Sequence, residues 1–256
     1  MKIGIVTGAS SGMGALITRK LDGEGLDELW LIARRKERLE ELASQLNTKT
    51  KIMPLDLTDR ASFDTIAAEL KSSKTQIGYL VNAAGFGEFG ECGVTPLEPE
   101  LQMIDLNVKA TVSMCSICVP YMAKNSHIVN LGSASVFNPL PYFNIYASTK
   151  SFIRHYSRAL YYELKPKDIW VTVFCPGWVK TEFFDHTRLD RAPRSPKKYT
   201  PMLDAQATID YAMKGIKKNK PIVVYNTFTK FQHLLSKVLP SSVLIRLWMG
   251  MLKENK

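Results

Sequence analysis

Tyr146 and Lys150 lie four residues apart in "NIYASTKSF", a stretch that reads as helical, so a phenol and an ammonium share one helix face a turn apart. A free phenol titrates near about 10 and a free lysine near about 10.4. A cation close to the phenol favours the phenolate and draws its pKa towards the working range of a general acid or base. The same spacing also stabilises many ordinary helices, so the pair becomes chemistry only in the right company. "TGASSGMGALITRKL" supplies a first companion, because Gly8, Gly12 and Gly14 join an apolar run to a helix-like segment. Such a turn lets backbone approach a phosphate closely and aims a helix N-terminus at it, although a tight turn between strand and helix reads the same way. In "LWLIARRKERLEELA" no acid ends the apolar run, and Arg34 and Arg35 follow Ala33 directly. Their planar forks match phosphate oxygens, or else form a solvated turn at a helix start.

Groups so far apart in sequence need a frame that gathers them. The runs "IGIVT", "ELWLIA", "TKIMPL", "IGYLVN", "SHIVNLG", "WVTVFC" and "PIVVY" alternate with segments long enough for crossover helices. This pattern predicts an α/β fold with a parallel sheet and helices on both faces, with ligands bound beyond the carboxyl ends of the strands. With 256 residues and 45% hydrophobic content the chain is expected to form one domain, residues 1–256, without repeat or linker; "RLDRAPRSPKKYTP" reads as a long loop. Cys92, Cys115, Cys118 and Cys175 show no secreted framework, and Met1 leads straight into a strand, so a cytoplasmic protein is expected. Cys115 and Cys118 form a C-x-x-C inside "LNVKATVSMCSICVPYM", which reads as a long apolar helix. His127, His155, His186 and His233 are scattered and complete no ligand set, so core packing and no metal are expected.

The glycine turn spaced G-x-x-x-G-x-G, then "NAAG", "DLNV", "IVNLGSAS", "YASTK" and "PGWVKT", occur in this order over residues 3 to 185. Together they resemble the classical short-chain dehydrogenase/reductase family. The resemblance implies a single Rossmann-type doubly wound domain with a mostly parallel seven-stranded sheet, and an NADP(H)-dependent carbonyl reductase, commonly a homodimer or homotetramer. It assigns Tyr146 as the acid/base and Lys150 as the residue that lowers its pKa and binds the nicotinamide ribose. It assigns Ser133, thirteen residues before Tyr146, to the developing alkoxide, and Asn107 to a water held against Lys150. Ser135, only eleven residues before Tyr146, is the weaker hydroxyl. Gly8, Ser10, Ser11, Gly12, Met13 and Gly14 would cradle the pyrophosphate. Asp56 and Leu57 would flank the adenine, although Asp56 also suits a cap on the next helix. Asn82, Ala83, Ala84 and Gly85 follow the fourth strand, and Pro176, Gly177, Val179 and Thr181 would hold the nicotinamide amide. With Arg34 and Arg35 on the 2'-phosphate, the expected cofactor is NADP(H).

Phe86, Phe89, Phe137, Tyr142, Phe143, Trp178, Phe183 and Phe184 border these motifs and suggest an apolar pocket, hence an apolar ketone, aldehyde or secondary alcohol. Residues 182–220 correspond to the family's substrate loop and a helix, and residues 226–256 form an apolar and basic extension. Residues 186–256 carry 14 Lys+Arg against 4 Asp+Glu, which accounts for the whole formal charge of +10. Lys237, Pro240 and Arg246 interrupt the apolar residues there, so a spanning helix fits poorly. An interfacial helix with Ile245, Trp248, Met249 and Leu252 on one face would contact an anionic membrane. Amphipathic helices more often bury their stripe, so a cover over the pocket or a subunit interface is the first expectation. No nucleic-acid motif is present. The alternative to an enzyme is a dinucleotide-binding sensor or scaffold without turnover.

Overall fold

The computed structural model describes residues 1–187 and 193–254. Residues 188–192, within the expected substrate loop, and 255–256, at the end of the extension, lie outside the described residues.

All seven runs expected as strands join one parallel sheet: β1 (Lys2–Thr7), β2 (Glu28–Ile32), β3 (Lys49–Met53), β4 (Gln76–Asn82), β5 (Met122–Leu131), β6 (Ile169–Cys175) and β7 (Ile222–Val224). Their order across the sheet is β7-β6-β5-β4-β1-β2-β3. The runs are apolar on both sides because the sheet is covered on both sides. Ile3, Ile5, Trp30, Ile32, Leu80 and Ile128 enter one core cluster, and Val6, Leu29, Leu31, Val81 and Val129 the other. Strand order reverses between β1 and β4, which opens a crevice beyond their carboxyl ends.

The helices that matter to the crevice are α1 (Gly12–Leu21) after β1, α2 (Lys36–Ala43) after β2 and α3 (Arg60–Ser73) after β3. After β4 come α4 (Leu97–Ile104) and α5 (Ala110–Cys118), and after β5 comes α6 (Asn144–Leu164). α7 (Ala205–Ile216) precedes β7, and the chain ends in α8 (Thr227–Val238) and α9 (Ser241–Met251). Among the described residues no helix is long and apolar enough to cross a membrane.

Two readings of the sequence need correction. The apolar helix around Cys115 and Cys118 does not run on to Met122; Pro120 sits in a short 3-10 turn, and Met122 already pairs with Ile77 in the sheet. Both cysteines pack in the core, and burial pushes the Cys115 thiol up to about 12. Within the expected loop, Arg194–Pro196 forms a short strand antiparallel to Leu252–Glu254, a pair too short to carry a sequence period. In the tail the first expectation holds: Trp248 and Leu252 are buried against the Phe143 and Tyr146 cluster with Met249 packed beside them, so that stripe faces protein. The Trp248 ring nitrogen donates to the Pro141 carbonyl at 2.9 Å, fixing the tail onto the segment before α6.

Candidate active site

The glycine turn is shaped by close approach of two strand ends. Gly8 has φ +66°, and a Cβ there would stand 2.7 Å from the Ala84 backbone nitrogen, so β1 and the "NAAG" segment can meet only at a glycine. A Cβ at Gly14 would run into the Gly8 carbonyl oxygen. The Thr7 hydroxyl accepts from the amides of Ala83 at 3.1 Å and Ala84 at 3.2 Å, bracing the same junction. Asn82 is buried and donates to Asn130 Oδ1 at 2.8 Å, so its side chain is a strut between β4 and β5.

The N-terminus of α1 carries no side-chain cap, because Ser11 turns elsewhere. Ser11 Oγ accepts from Arg35 Nη2 at 2.9 Å, and Ser10 Oγ from the same nitrogen at 3.2 Å. Uncapped helix amides and an arginine over one loop are the donor set a pyrophosphate with a further phosphate requires. Arg34 is 74% exposed, with Nη1 3.8 Å from Asp56 Oδ2. Asp56 does not cap the next helix; it accepts from Thr58 at 2.9 Å, while Asp59 takes the cap of α3. Leu57 is buried in the core. Arg38, one turn into α2, was not singled out in the sequence, although the repeat of basic residues in "RRKER" is its signal. Its Nη1 reaches Glu182 Oε2 at 2.6 Å, and Arg35 Nη1 lies 3.6 Å from the same oxygen.

Asn107 sits in a five-residue π-helical turn, Asp105–Lys109, between α4 and α5. Such turns re-aim one side chain within a continuous helix and are frequent at functional sites. Asn107 Nδ2 donates to the Phe86 carbonyl at 2.9 Å and to Thr149 Oγ1 at 3.1 Å, and its Oδ1 accepts from Phe86 N at 3.1 Å. A Cβ added at Gly85 would lie 2.7 Å from Asn107 Oδ1 and 3.4 Å from Lys150 Nζ, so the two side chains converge over this glycine.

On α6, Tyr146, Lys150, Ile153 and Ser157 form the buried stripe that faces the sheet. Lys150 Nζ donates to the Leu131 carbonyl at 2.8 Å and lies 5.8 Å from the Tyr146 ring centroid. Burial lowers the Lys150 pKa to about 8. Tyr146 departs from the sequence expectation: burial raises it to about 12, with a hydrogen bond from the Ser133 hydroxyl opposing the rise. Loss of hydration outweighs the Ser133 hydrogen bond. Ser133 opens the 3-10 turn Ala134–Phe137, its Oγ accepting from Ser135 N at 3.2 Å.

Ser133 and Tyr146 open onto a cavity of about 370 Å³. Met13, Pro176, Gly177, Val179 and Thr181 also line it. Phe143, Trp178, Phe183 and Phe184 form apolar wall, whereas Phe89 and Phe137 are core residues behind it. Among the described residues Ser135 Oγ and Asn138 Oδ1 are buried with no hydrogen-bond partner, on residues that line the same cavity. α8 and α9 complete the wall with Phe231, Leu235, Leu244 and Trp248, so the tail covers the pocket.

The chain belongs to the short chain dehydrogenase family, whose model matches residues 2–192. It is 35% identical over 188 residues to an uncharacterized oxidoreductase of Staphylococcus epidermidis, covering 73% of this chain and 81% of that protein. It is 34% identical over 191 residues to the NADP-dependent 3-hydroxy acid dehydrogenase YdfG of Escherichia coli, covering 72% and 75%. Its fold matches a short-chain dehydrogenase from Sphingobium yanoikuyae solved with NADPH, with a TM-score of 0.79 at 24% identity, over 100% of this chain and 98% of the other. The protein is therefore an oxidoreductase of the kind that uses a nicotinamide dinucleotide.

Proposed function

We propose that the protein is an NADP(H)-dependent carbonyl reductase that converts an apolar ketone or aldehyde to its alcohol. One observation carries the reading: two hydroxyls, Ser133 and Tyr146, open onto a largely apolar cavity that Met13 of the glycine turn also lines. A nicotinamide bound against Pro176, Gly177, Val179 and Thr181 would supply the hydride. Tyr146, held protonated by burial, donates its proton to the carbonyl oxygen as charge develops there, and Ser133 donates a hydrogen bond to the same oxygen. With the dinucleotide bound, Lys150 would hold the ribose hydroxyls and return the proton to Tyr146, and Asn107 would hold a water on the path to solvent. Arg34, Arg35 and the added Arg38 support NADP(H), since they bring positive charge to the end of β2 where an NAD enzyme would place an acid. Residues 182–220 serve as the substrate loop and helix, and residues 226–256 as the cover.

Exposed Leu97 and Leu101 on α4, with Phe152 and Tyr162 on α6, support a homodimer or homotetramer. A sensor without turnover needs no buried acid and no relay, so the retained set favours catalysis. A panel of carbonyls and alcohols, followed at the nicotinamide absorbance with both cofactors, tests the reading. Apolar ketones with NADPH are expected to turn over fastest; inactivity across the panel despite tight cofactor binding would establish the sensor instead.

A further inference from the structure

We propose that the outer face of α8 and α9 docks on an anionic lipid surface and presents the mouth of the cavity to it. On α8, Phe228, Phe231, Leu234 and Val238 are 42%, 56%, 57% and 73% exposed, and their spacing keeps them on one side of the helix. On α9, Val243, Leu247 and Met251 recur every four residues and are 38%, 58% and 40% exposed. This is not the stripe of Trp248 and Leu252, which is turned inward. Phe228 and Phe231 from one helix and Leu247 and Met251 from the other also line the cavity. The two exposed rows therefore border its mouth. Large exposed side chains grouped in this way mark a contact surface.

Charge selects the partner. Between Thr227 and Lys253 there is no aspartate or glutamate, while Lys230, Lys237, Arg246 and Lys253 are all exposed. Glu254, just beyond, is held by Arg194 at 2.6 Å. Lys197, also exposed, donates to the Gly250 carbonyl at 3.1 Å and adds a further cation beside α9. Apolar rows flanked by cations without acids match the acyl boundary and headgroups of an anionic leaflet. A second copy on the same face would set these cations against their own symmetry mates, which opposes a twofold contact here. The docking itself does not depend on the reaction; only the supply of apolar substrate from lipid to the cavity rests on the proposed carbonyl reductase.

Vesicle sedimentation of the full chain, without cofactor or substrate, tests this. The protein is expected to pellet with equimolar phosphatidylglycerol and phosphatidylcholine vesicles at low salt, and not with phosphatidylcholine alone. Raising the salt should release it, because the Debye length shrinks from about 30 Å at 0.01 M to about 10 Å at 0.1 M. The variant Leu234→Glu/Val238→Glu, at exposed positions off the cavity wall, should lose pelleting while keeping cofactor affinity and turnover of a water-soluble ketone. Failure of the wild type to pellet at low salt, or equal pelleting by the variant, would overturn the proposal. So would a wild type that ignores vesicles and an oligomer that the variant dissolves, which would assign the face to a second copy. Because vesicle capture involves neither cofactor nor turnover, it can fail while the reductase reading stands, and the reverse.

Discussion

Tyr146→Phe is expected to lower kcat by about 10² to 10⁴, the usual contribution of a positioned general acid, and to leave reduced-cofactor affinity within about threefold. The substitution keeps the ring, which stacks on Phe143 at 4.5 Å and meets Phe183 at 5.5 Å, and removes only the transferable proton. Lys150→Ala should damage affinity and turnover together. The two residues also separate by pH. Burial holds Tyr146 near about 12, so it stays protonated across the physiological range. Lys150, lowered to about 8, is cationic below that value and neutral above it. The kcat/KM for the reduced cofactor, which reports the free enzyme, should therefore fall as pH rises through about 8. Stopped-flow turnover with parallel equilibrium binding checks both halves, and near-normal turnover in the phenylalanine variant would remove the mechanism.

Arg34→Ala and Arg35→Ala should each weaken NADPH binding by about 10- to 100-fold, and NADH by less than about threefold. A hydrogen bond to a charged group contributes about 1.5 to 3 kcal/mol, and only NADPH carries the phosphate that would accept it. Arg34 is the more exposed of the two, and Arg35 is already engaged by Ser10 and Ser11, so Arg34 should show the cleaner discrimination. Calorimetric titration of both cofactors measures this without any substrate. Equal losses for the two cofactors would mean that the arginines position the glycine turn and do not read the phosphate.

The sheet was legible because a strand covered on both faces must be apolar throughout, and the seven runs announce themselves. The candidate site was proposed from the family resemblance of its motifs, because the spacing of Tyr146 and Lys150 alone reads equally as an ordinary helix pair. Burial of the tail's stripe was the first expectation, but the exposed row beside it was not legible. Both faces of α9 are apolar, so sequence period alone could not tell the side of Trp248 and Leu252, which is buried, from the side of Leu247, which is not. The π-helical turn at Asn107 was invisible for a related reason: one extra residue per turn changes where a side chain points without changing composition. The direction of the Tyr146 shift depended on how completely the phenol is buried, which spacing from Lys150 does not reveal.

The most direct test of the account is transfer of label from reduced NADP deuterated at nicotinamide C4, in both stereochemical forms, to an apolar ketone in a single turnover. One form should place one deuterium on the carbinol carbon of the product, with the absorbance of the reduced nicotinamide lost at the same rate. Tight binding of the labelled cofactor with no deuterium in any product would contradict the account and leave a dinucleotide-binding protein that does no chemistry.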